Sequence, residues 1–361
     1  MPKKVKKCFD KNLTFDKLLK AHNRAKKHKT YKNEVIQFEI NLENNITNLL
    51  NSIKNSTYHL GKYRTFTIYE PKERIIKALP YIDRVVHQWY VEEFIKPFIV
   101  PRFIDTSYAC LKYRGTHKAA NEVQRQLKVY KRNYQDLWIL KCDIKKFFYN
   151  IDPIILFNTM KKYISDNKLL EFTKLLIFDG KEDVKSIGIP IGNYTSQFFA
   201  NIYLNELDQY IKRTLKLKYY TRYMDDFVIL LKTKSDCILV KDLIEKFISN
   251  KLHLKLNEKS KYYPYKMGVD FCGYRIFSTH TLLRLKSKKK IKKEVKHWNR
   301  LYNKKILNIN KTMQSLNSWL GHSNHCNSFK LQNKILSNCD FLYNVKAFNK
   351  IEKELIELTE K

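Results

Sequence analysis

YTRYMDDFVILL, residues 220–231, sets two adjacent aspartates inside a run that otherwise reads as strand. Apolar strand on both sides of a two-acid tip predicts a β-hairpin with Asp225 and Asp226 at its turn. Two bare carboxylates side by side repel each other and tend to retain a proton. A divalent cation removes that conflict. An isolated Asp-Asp pair is more often an ordinary exposed turn, because Asp is a common turn former. The reading therefore depends on what the rest of the chain supplies.

A second acid is supplied by LWILKCDIKKFF, residues 137–148, which begins as a buried strand and turns at Asp143 into a more helical segment. Strand-end acids brought side by side can clamp two Mg²⁺ ions about 3.5–4 Å apart. Mg²⁺ suits carboxylates combined with substrate phosphates. One ion would activate a 3′-hydroxyl as nucleophile and the other would steady a pyrophosphate leaving group, which describes nucleotidyl transfer.

Composition fits a polyanionic partner. The 361 residues carry 70 Lys plus Arg against 35 Asp plus Glu, a formal net charge of +35, spread from Lys3 to Lys361. Phosphate contacts from Lys and Arg dominate nucleic-acid affinity. An anionic membrane surface is the rival partner, but no apolar run approaches the roughly 20 residues that span a bilayer. No charged-then-apolar leader opens the sequence, so a soluble, cytoplasmic protein is expected. The 43% hydrophobic content allows a sizeable core. Seven scattered cysteines without a CxxC pair fit a reducing compartment. His322, His325 and Cys326 in SWLGHSNHC come nearest to a metal cluster, but lack paired-ligand spacing and read as packing or surface side chains.

Along the chain, the first fifty residues show helical spacing in FDKLLKAHNRA and VIQFEINLENNITNLL. YRTFTIYEP and RIIKALP predict a hairpin over 63–80 with Lys72 and Arg74 at its bend. DRVVHQWYVEEFIKPF predicts a helix over 83–98 with Asp83 as N-cap. A long amphipathic helix is expected from about Thr195, a helix around KDLIEKFISNKLH, and short strands at VDFCGYRIF and THTLLRL. Beyond Leu285 the sequence becomes helical and lysine-rich, which places a boundary near 285.

Taken in order, these segments resemble a reverse transcriptase. The resemblance rests on YRTFTIYEPKERIIKALPYIDRVVHQ, FIDTSYACLKYRGTHKA, KCDIKKFFYNID, GIPIGNYTSQFFANIYLNELDQY, RYMDDFVIL, LHLKLNEKS and VDFCGYRIF, and covers nearly the whole chain. Most such enzymes carry a QGxxxSP-like segment. The IGxxxSQ version here, with PKERII, SYACLKYRGTHKA and SWLGHSNH, resembles the enzymes of diversity-generating retroelements. The resemblance implies an α+β right-hand polymerase fold: an N-terminal helical region and fingers over 1–135, a palm with an antiparallel sheet over 136–284 with an insertion at about 153–186, and a helical thumb over 285–361.

Roles follow by position. Asp143, Asp225 and Asp226 match the catalytic carboxylates, with the Ile144 carbonyl as a further ligand to two Mg²⁺ ions, or to Mn²⁺. Phe148 matches the steric gate that would collide with a ribose 2′-OH; a core aromatic is the alternative, with Phe147 beside it. Lys72 and Arg74 match residues that grip the incoming triphosphate. Ile191, Gly192 and Gln197 match the nucleotide-contacting segment, and Lys259 a basic residue whose ammonium would protonate the leaving pyrophosphate, with Lys255 and Lys261 as nearby alternatives. Phe271, Cys272, Gly273 and Tyr274 match the primer grip. Ile191 replaces a glutamine that contacts the nucleotide, and losing a hydrogen-bonding group weakens discrimination; the resemblance implies low fidelity opposite template adenines.

Implied partners are template RNA, the RNA/DNA primer-template duplex, deoxynucleoside triphosphates and a small basic accessory protein that assembles as a ring. The lysine row after 285 would track duplex phosphates, with affinity falling steeply as salt rises. Two alternatives remain: a stand-alone bacterial or phage-encoded reverse transcriptase of a phage-defence or retron-like system, and a non-catalytic RNA-binding scaffold on the same fold.

Overall fold

The computed structural model describes residues 4–69, 73–178 and 187–342. The chain divides into two compact units, Met1–Gly115 with Leu140–Tyr262, and Thr116–Ile139 with Tyr263–Lys361.

The first unit opens with four helices, α1 (Phe9–Asn12), α2 (Phe15–Ala25), α3 (Asn33–Ile40) and α4 (Leu42–Lys54). Thr14 caps α2 by accepting from the Lys17 N–H, and Leu18, Ala21, His22 and Ala25 form its buried stripe. β1 (Arg64–Ile68) and β2 (Arg74–Ala78) pair antiparallel, Arg64 opposite Ala78 and Ile68 opposite Arg74. Arg74 is thus the first paired residue of β2 rather than part of the bend, while Lys72 lies outside the described residues. Helix α5 (Tyr81–Tyr90) runs through a π turn at Val91–Ile95 into α6 (Lys96–Phe98). Asp83 does not cap α5. Pro80 holds the non-helical backbone that starts the helix, and Asp83 sits buried one turn in, accepting from the Tyr58 hydroxyl at 2.6 Å and the Gly61 N–H at 3.0 Å.

The chain enters the second unit with α7 (Thr116–Asn133) and returns along β3 (Trp138–Asp143). Then come α8 (Phe147–Asn150), α9 (Pro153–Tyr163), α10 (Asn167–Phe178) and α11 (Tyr194–Gln209). β4 (Tyr220–Tyr223), β5 (Asp226–Leu231), α12 (Lys234–Leu252) and β6 (Lys261–Pro264) follow. Thr233 and Asp236 form a capping box that starts α12 directly after β5. The four-stranded sheet has the order β4-β5-β3-β6, which sets the start of β5 in the strand adjacent to β3. Around α1 and α5, Phe9, Trp89, Phe94 and Phe172 stack edge to face and face to face, with ring centroids 5.2 Å apart for Trp89 and Phe94.

In the second unit β7 (Val269–Phe271), β8 (Tyr274–Ile276) and β9 (Thr281–Leu283) form an antiparallel sheet. VDFCGYRIF, expected as one strand, is therefore a hairpin. Its turn residues Cys272 and Gly273 both have positive φ, 49° and 88°, the pattern of a type I′ turn that fits the twist of paired strands. Among the described residues three helices follow in this unit, α13 (Leu285–Asn303), α14 (Ile309–Ser323) and α15 (Phe329–Leu336). Ile291, Val295 and Trp298 of α13, at i, i+4 and i+7, pack with Leu316, Ile335 and Phe341. The same helix leaves Lys289, Lys290, Lys292, Lys293 and Lys296 exposed on its other faces.

Candidate active site

The two-acid tip is built differently from a symmetrical turn. Tyr223 pairs with Asp226, so Met224 and Asp225 make the two-residue loop and Asp226 is already strand. Met224 takes the left-handed conformation, φ 55°. That is a strained choice for a residue with a Cβ, and such strain persists only where the surroundings fix it.

What fixes it is Arg222, the arginine of RYMDD, which is 0% exposed. Its guanidinium spans the Asp208 carboxylate, Nε to Oδ1 at 2.7 Å and Nη2 to Oδ2 at 2.5 Å. Nη1 donates to Asn201 Oδ1 at 3.0 Å and to the Met224 carbonyl at 2.9 Å. Tyr220 adds a 2.6 Å hydrogen bond from its hydroxyl to Asp208 Oδ1. A bidentate, charge-assisted pair of this kind has a defined geometry, and here it is transmitted to the turn through the Met224 carbonyl. Segment 106–108 brackets the same residue through its backbone: the Arg222 N–H donates to the Thr106 carbonyl and the Tyr108 N–H to the Arg222 carbonyl.

Asp143 ends β3 and is braced by the segment after α12. The Asn257 N–H donates to the Asp143 carbonyl at 2.7 Å, Asn257 Nδ2 to Asp143 Oδ2 at 3.1 Å, and the Asp143 N–H to Ser260 Oγ at 3.1 Å. Asn257 Oδ1 accepts from the Lys259 N–H at 3.0 Å, which settles which way the amide faces. Ile144 forms an isolated antiparallel bridge with Leu256. The hydrogen bonds of that bridge are made by the flanking Asp143 carbonyl and Lys145 N–H, so they do not use the Ile144 carbonyl. Lys259 itself is exposed.

The acids influence one another. Burial first, then the charges of Asp143 and Asp225, push Asp226 up to about 6, against the opposing pull of Lys141. Lys141 Nζ lies 3.1 Å from Asp226 Oδ2. The other carboxylate oxygen, Oδ1, is buried with no hydrogen-bond donor. Among the described residues no set of three or more His, Cys, Asp and Glu side chains is gathered closely enough to hold a metal ion as it stands. The donor chemistry nevertheless fits a hard cation: oxygen ligands only, one of them buried and unsatisfied, and a lysine ammonium already acting as counter-ion.

The nucleotide-side residues that the structure describes, Arg74, Phe148, Ile191, Gly192, Gln197 and Lys259, all belong to the first unit. The Lys77 N–H of β2 donates to the Ile191 carbonyl at 2.9 Å. Gly192, φ 128°, lies so close to β2 that a Cβ there would stand 2.7 Å from the Lys77 carbonyl oxygen. The Ile189 N–H donates to the Phe148 carbonyl at 2.9 Å. Phe147 is 2% exposed and takes the core position, leaving Phe148 half-buried. Ile191 is half-buried and Gln197 exposed in the first turn of α11. A cavity of about 260 Å³ is lined by Ile75, Lys77, Tyr149, Gly188 and Ile191. The hairpin bearing Phe271, Cys272, Gly273 and Tyr274 belongs to the second unit; Phe271 and Tyr274 are buried, and Cys272 and Gly273 half-buried.

Sequence reasoning missed Lys141, Arg222, Asp208, Asn257 and Ser260. Two of these had a legible trace. Lys141 precedes Asp143 by two on a strand, so the two share a face. Asn201, Asn205 and Asp208 recur at i, i+4 and i+7 along a helix whose other positions are mostly apolar, a polar stripe that burial obliges to find partners.

The sequence model of the family described as reverse transcriptase (RNA-dependent DNA polymerase) matches residues 62–276, which include all three aspartates. The group II intron-encoded protein LtrA of Lactococcus lactis subsp. cremoris is 24% identical over 306 residues, covering 65% of this chain and 50% of that protein. The chain thus spans about half the length of the curated relatives it matches. Among solved structures, a C-terminally truncated telomerase from Candida tropicalis is similar at 16% identity and TM-score 0.46, over 64% of this chain and 58% of that one. A Candida albicans telomerase in complex with a telomeric RNA fragment gives 12% and 0.44, over 67% and 53%. With more than half of its length matched by the family model, this chain belongs to the reverse transcriptase family and has its fold.

Proposed function

We propose that this protein is an RNA-directed DNA polymerase that extends a primer 3′-hydroxyl with deoxynucleoside triphosphates. The observation that carries the reading is the buried, unsatisfied Oδ1 of Asp226 beside Asp225 and Asp143, within the segment matched by the family. Asp143, Asp225 and Asp226, with the Ile144 carbonyl, would hold Mg²⁺ or Mn²⁺. When bound, such ions lower the pKa of the attacking hydroxyl and neutralise the leaving pyrophosphate. The chain's own residues do the positioning. Arg222 holds the turn, Asn257 and Ser260 hold Asp143, and Lys141 balances the acids in the absence of substrate. Arg74 and Lys72 would meet the triphosphate, Phe148 the sugar, Lys259 the pyrophosphate, and residues 271–274 the primer strand. In this reading residues 1–135 are fingers, 136–284 palm and 285–361 thumb, the exposed lysines of α13 facing template-primer phosphates. Deoxynucleotide incorporation on an RNA template tests it: Asp225→Ala should lower the rate by at least about 10³-fold, and equal rates would reject the enzyme reading.

Within this class, the diversity-generating type is favoured by the IGxxxSQ segment, SYACLKYRGTHKA and SWLGHSNH. Ile191 offers aliphatic bulk where a glutamine would offer a hydrogen bond, which lowers discrimination wherever that contact enforced geometry. Ile191→Gln should reduce misincorporation opposite template adenines in primer extension. An unchanged error spectrum would remove the mutagenic assignment. A small basic ring-forming accessory protein and a cytoplasmic setting belong to the same proposal.

A further inference from the structure

Two motifs have no part in the chemistry above, THKA at 116–119 and GHSNH at 321–325, and the second unit brings them together on one hydroxyl. Tyr274 Oη lies 2.8 Å from His117 Nδ1, 3.0 Å from His322 Nδ1 and 3.0 Å from the His322 carbonyl oxygen. A phenol has one proton and two acceptor lone pairs. Donating that proton to the carbonyl leaves both lone pairs for the two Nδ1–H groups, so all three contacts are satisfied at once when both rings carry their proton on Nδ1. His325 stacks on His117 with centroids 3.6 Å apart and 21° between planes, and His322 stacks on Tyr274 at 4.6 Å.

The hairpin tip rests on the same rings. A Cβ on Gly273 would stand 3.1 Å from His322 Nε2, so the imidazole fills the space that the absent side chain leaves. Cys272, next to it, is a non-glycine residue at φ 49°, a conformation that lasts only when its neighbours impose it. Arg284 adds a backbone hydrogen bond to the Gly273 carbonyl at 3.1 Å. The start of α7, the end of α14 and the turn of the β7-β8 hairpin are therefore tied at one point. Cys326, the third residue of the apparent metal motif, directs its Sγ to the Ser323 carbonyl instead.

We propose that His117, His322 and His325 are positioning residues, an imidazole latch that fixes the tip of the 271–274 hairpin and with it the seat of the primer strand. The second half of this statement rests on the primer-grip reading above. The latch works with neutral rings. Protonation on Nε2 would keep the Nδ1–H bonds but set the charges of His117 and His322 against each other, their ring centroids 5.8 Å apart. Burial first, then the neighbouring imidazoles, already hold His117 and His322 below the ordinary histidine value. The sign follows: the latch is intact above pH ~6.5 and weakens as pH falls below it. Other titratable groups facing the cluster are Cys272 and Cys326, with Lys288 set against Cys326.

The test uses the full chain, a labelled DNA primer on an RNA template, and paired measurements of primer-template Kd and deoxynucleotide KM at pH 7.5 and 5.5. His117→Leu/His322→Leu should weaken primer-template binding on the order of tenfold or more and leave the nucleotide KM unchanged. His117→Asn/His322→Asn keeps an N–H where Nδ1–H stood and cannot be protonated. It should stay within about threefold of wild type at pH 7.5 and lose the acid weakening that wild type shows. Leucine and asparagine pairs that behave alike at equal Tm would overturn the latch. Hydrogen exchange at the 271–274 amides without nucleic acid reads the latch alone. A photoreactive nucleotide at the primer 3′ end, with its adduct mapped to or away from the hairpin, reads the primer grip alone. Slower exchange in wild type than in the leucine pair supports the latch even if the adduct maps elsewhere, in which case only the primer half fails; identical exchange rejects the latch whatever the adduct shows.

Discussion

Replacing Arg222 by methionine separates fold from catalysis more sharply than changing an aspartate would. Arg222 and Asp208 are both 0% exposed, and the substitution leaves the Asp208 carboxylate buried with the Tyr220 hydroxyl as its remaining hydrogen-bond donor. Removing one partner of a buried ion pair costs about 3–5 kcal/mol. At about 2–4 °C per kcal/mol for a domain of this size, Tm should fall by roughly 6–20 °C. A second variant, Arg222→Met/Asp208→Leu/Tyr220→Phe, removes the buried charge and the hydroxyl that served it. Apolar replacement of a buried pair is often neutral, so Tm should largely return. The rate should not. The Met224 carbonyl still lacks the guanidinium that held it at 2.9 Å, and a displacement of about 1 Å at a reacting group costs on the order of 10²-fold. The assay is calorimetry together with single-turnover nucleotide incorporation below the lowered Tm. A triple variant that recovers both Tm and rate would show the network to be structural only, and an Arg222→Met variant losing under about 1 kcal/mol would refute the burial argument itself.

Gly192→Ala places a Cβ 2.7 Å from the Lys77 carbonyl at φ 128°; it should cost about 1–3 kcal/mol in backbone strain and raise the nucleotide KM, with faster exchange at the Lys77 amide as the check. His87 is buried, its Nδ1 paired with Thr195 Oγ1 at 2.8 Å and its Nε2 without a partner, and burial lowers it from 6.5 to about 3. Because the unfolded chain binds this proton more readily, stability is complete above pH 6.5 and falls by about 1.36 kcal/mol per unit below it. Urea titration at pH 7.5 and 5.0 should show roughly 2 kcal/mol of this loss, reduced in a His87→Gln variant.

The candidate acids were legible because Asp143 and Asp225-Asp226 stand at the ends of strands rich in apolar residues. Their supports were not. Lys141 and Arg222 look like two of 70 basic residues, and only the fold shows that they face carboxylates. Asp83 misled for a related reason. Its type and position suit a cap, but a tyrosine 25 residues earlier competes for the carboxylate, and tertiary contacts outweigh local propensity. The choice between Phe147 and Phe148 needed burial, which two adjacent identical residues cannot express. The histidines of GHSNH spelled a metal site in outline, yet their partners are a tyrosine and another histidine some 48 and more than 200 residues away.

The second unit is woven from a short segment, Thr116–Ile139, and the C-terminal stretch Tyr263–Lys361. A nascent chain that has emerged only as far as α7 therefore holds one strip of a unit whose sheet and remaining helices are still to be made, and that strip must wait through residues 140–262. The buried face of α7, with Ala119, Ala120, Val123 and Leu127, is then a transiently uncovered apolar surface, the kind that invites misassociation during synthesis. Exchanging this unit with that of a relative would likewise require two cuts and two grafts, since no single contiguous piece of the gene encodes it.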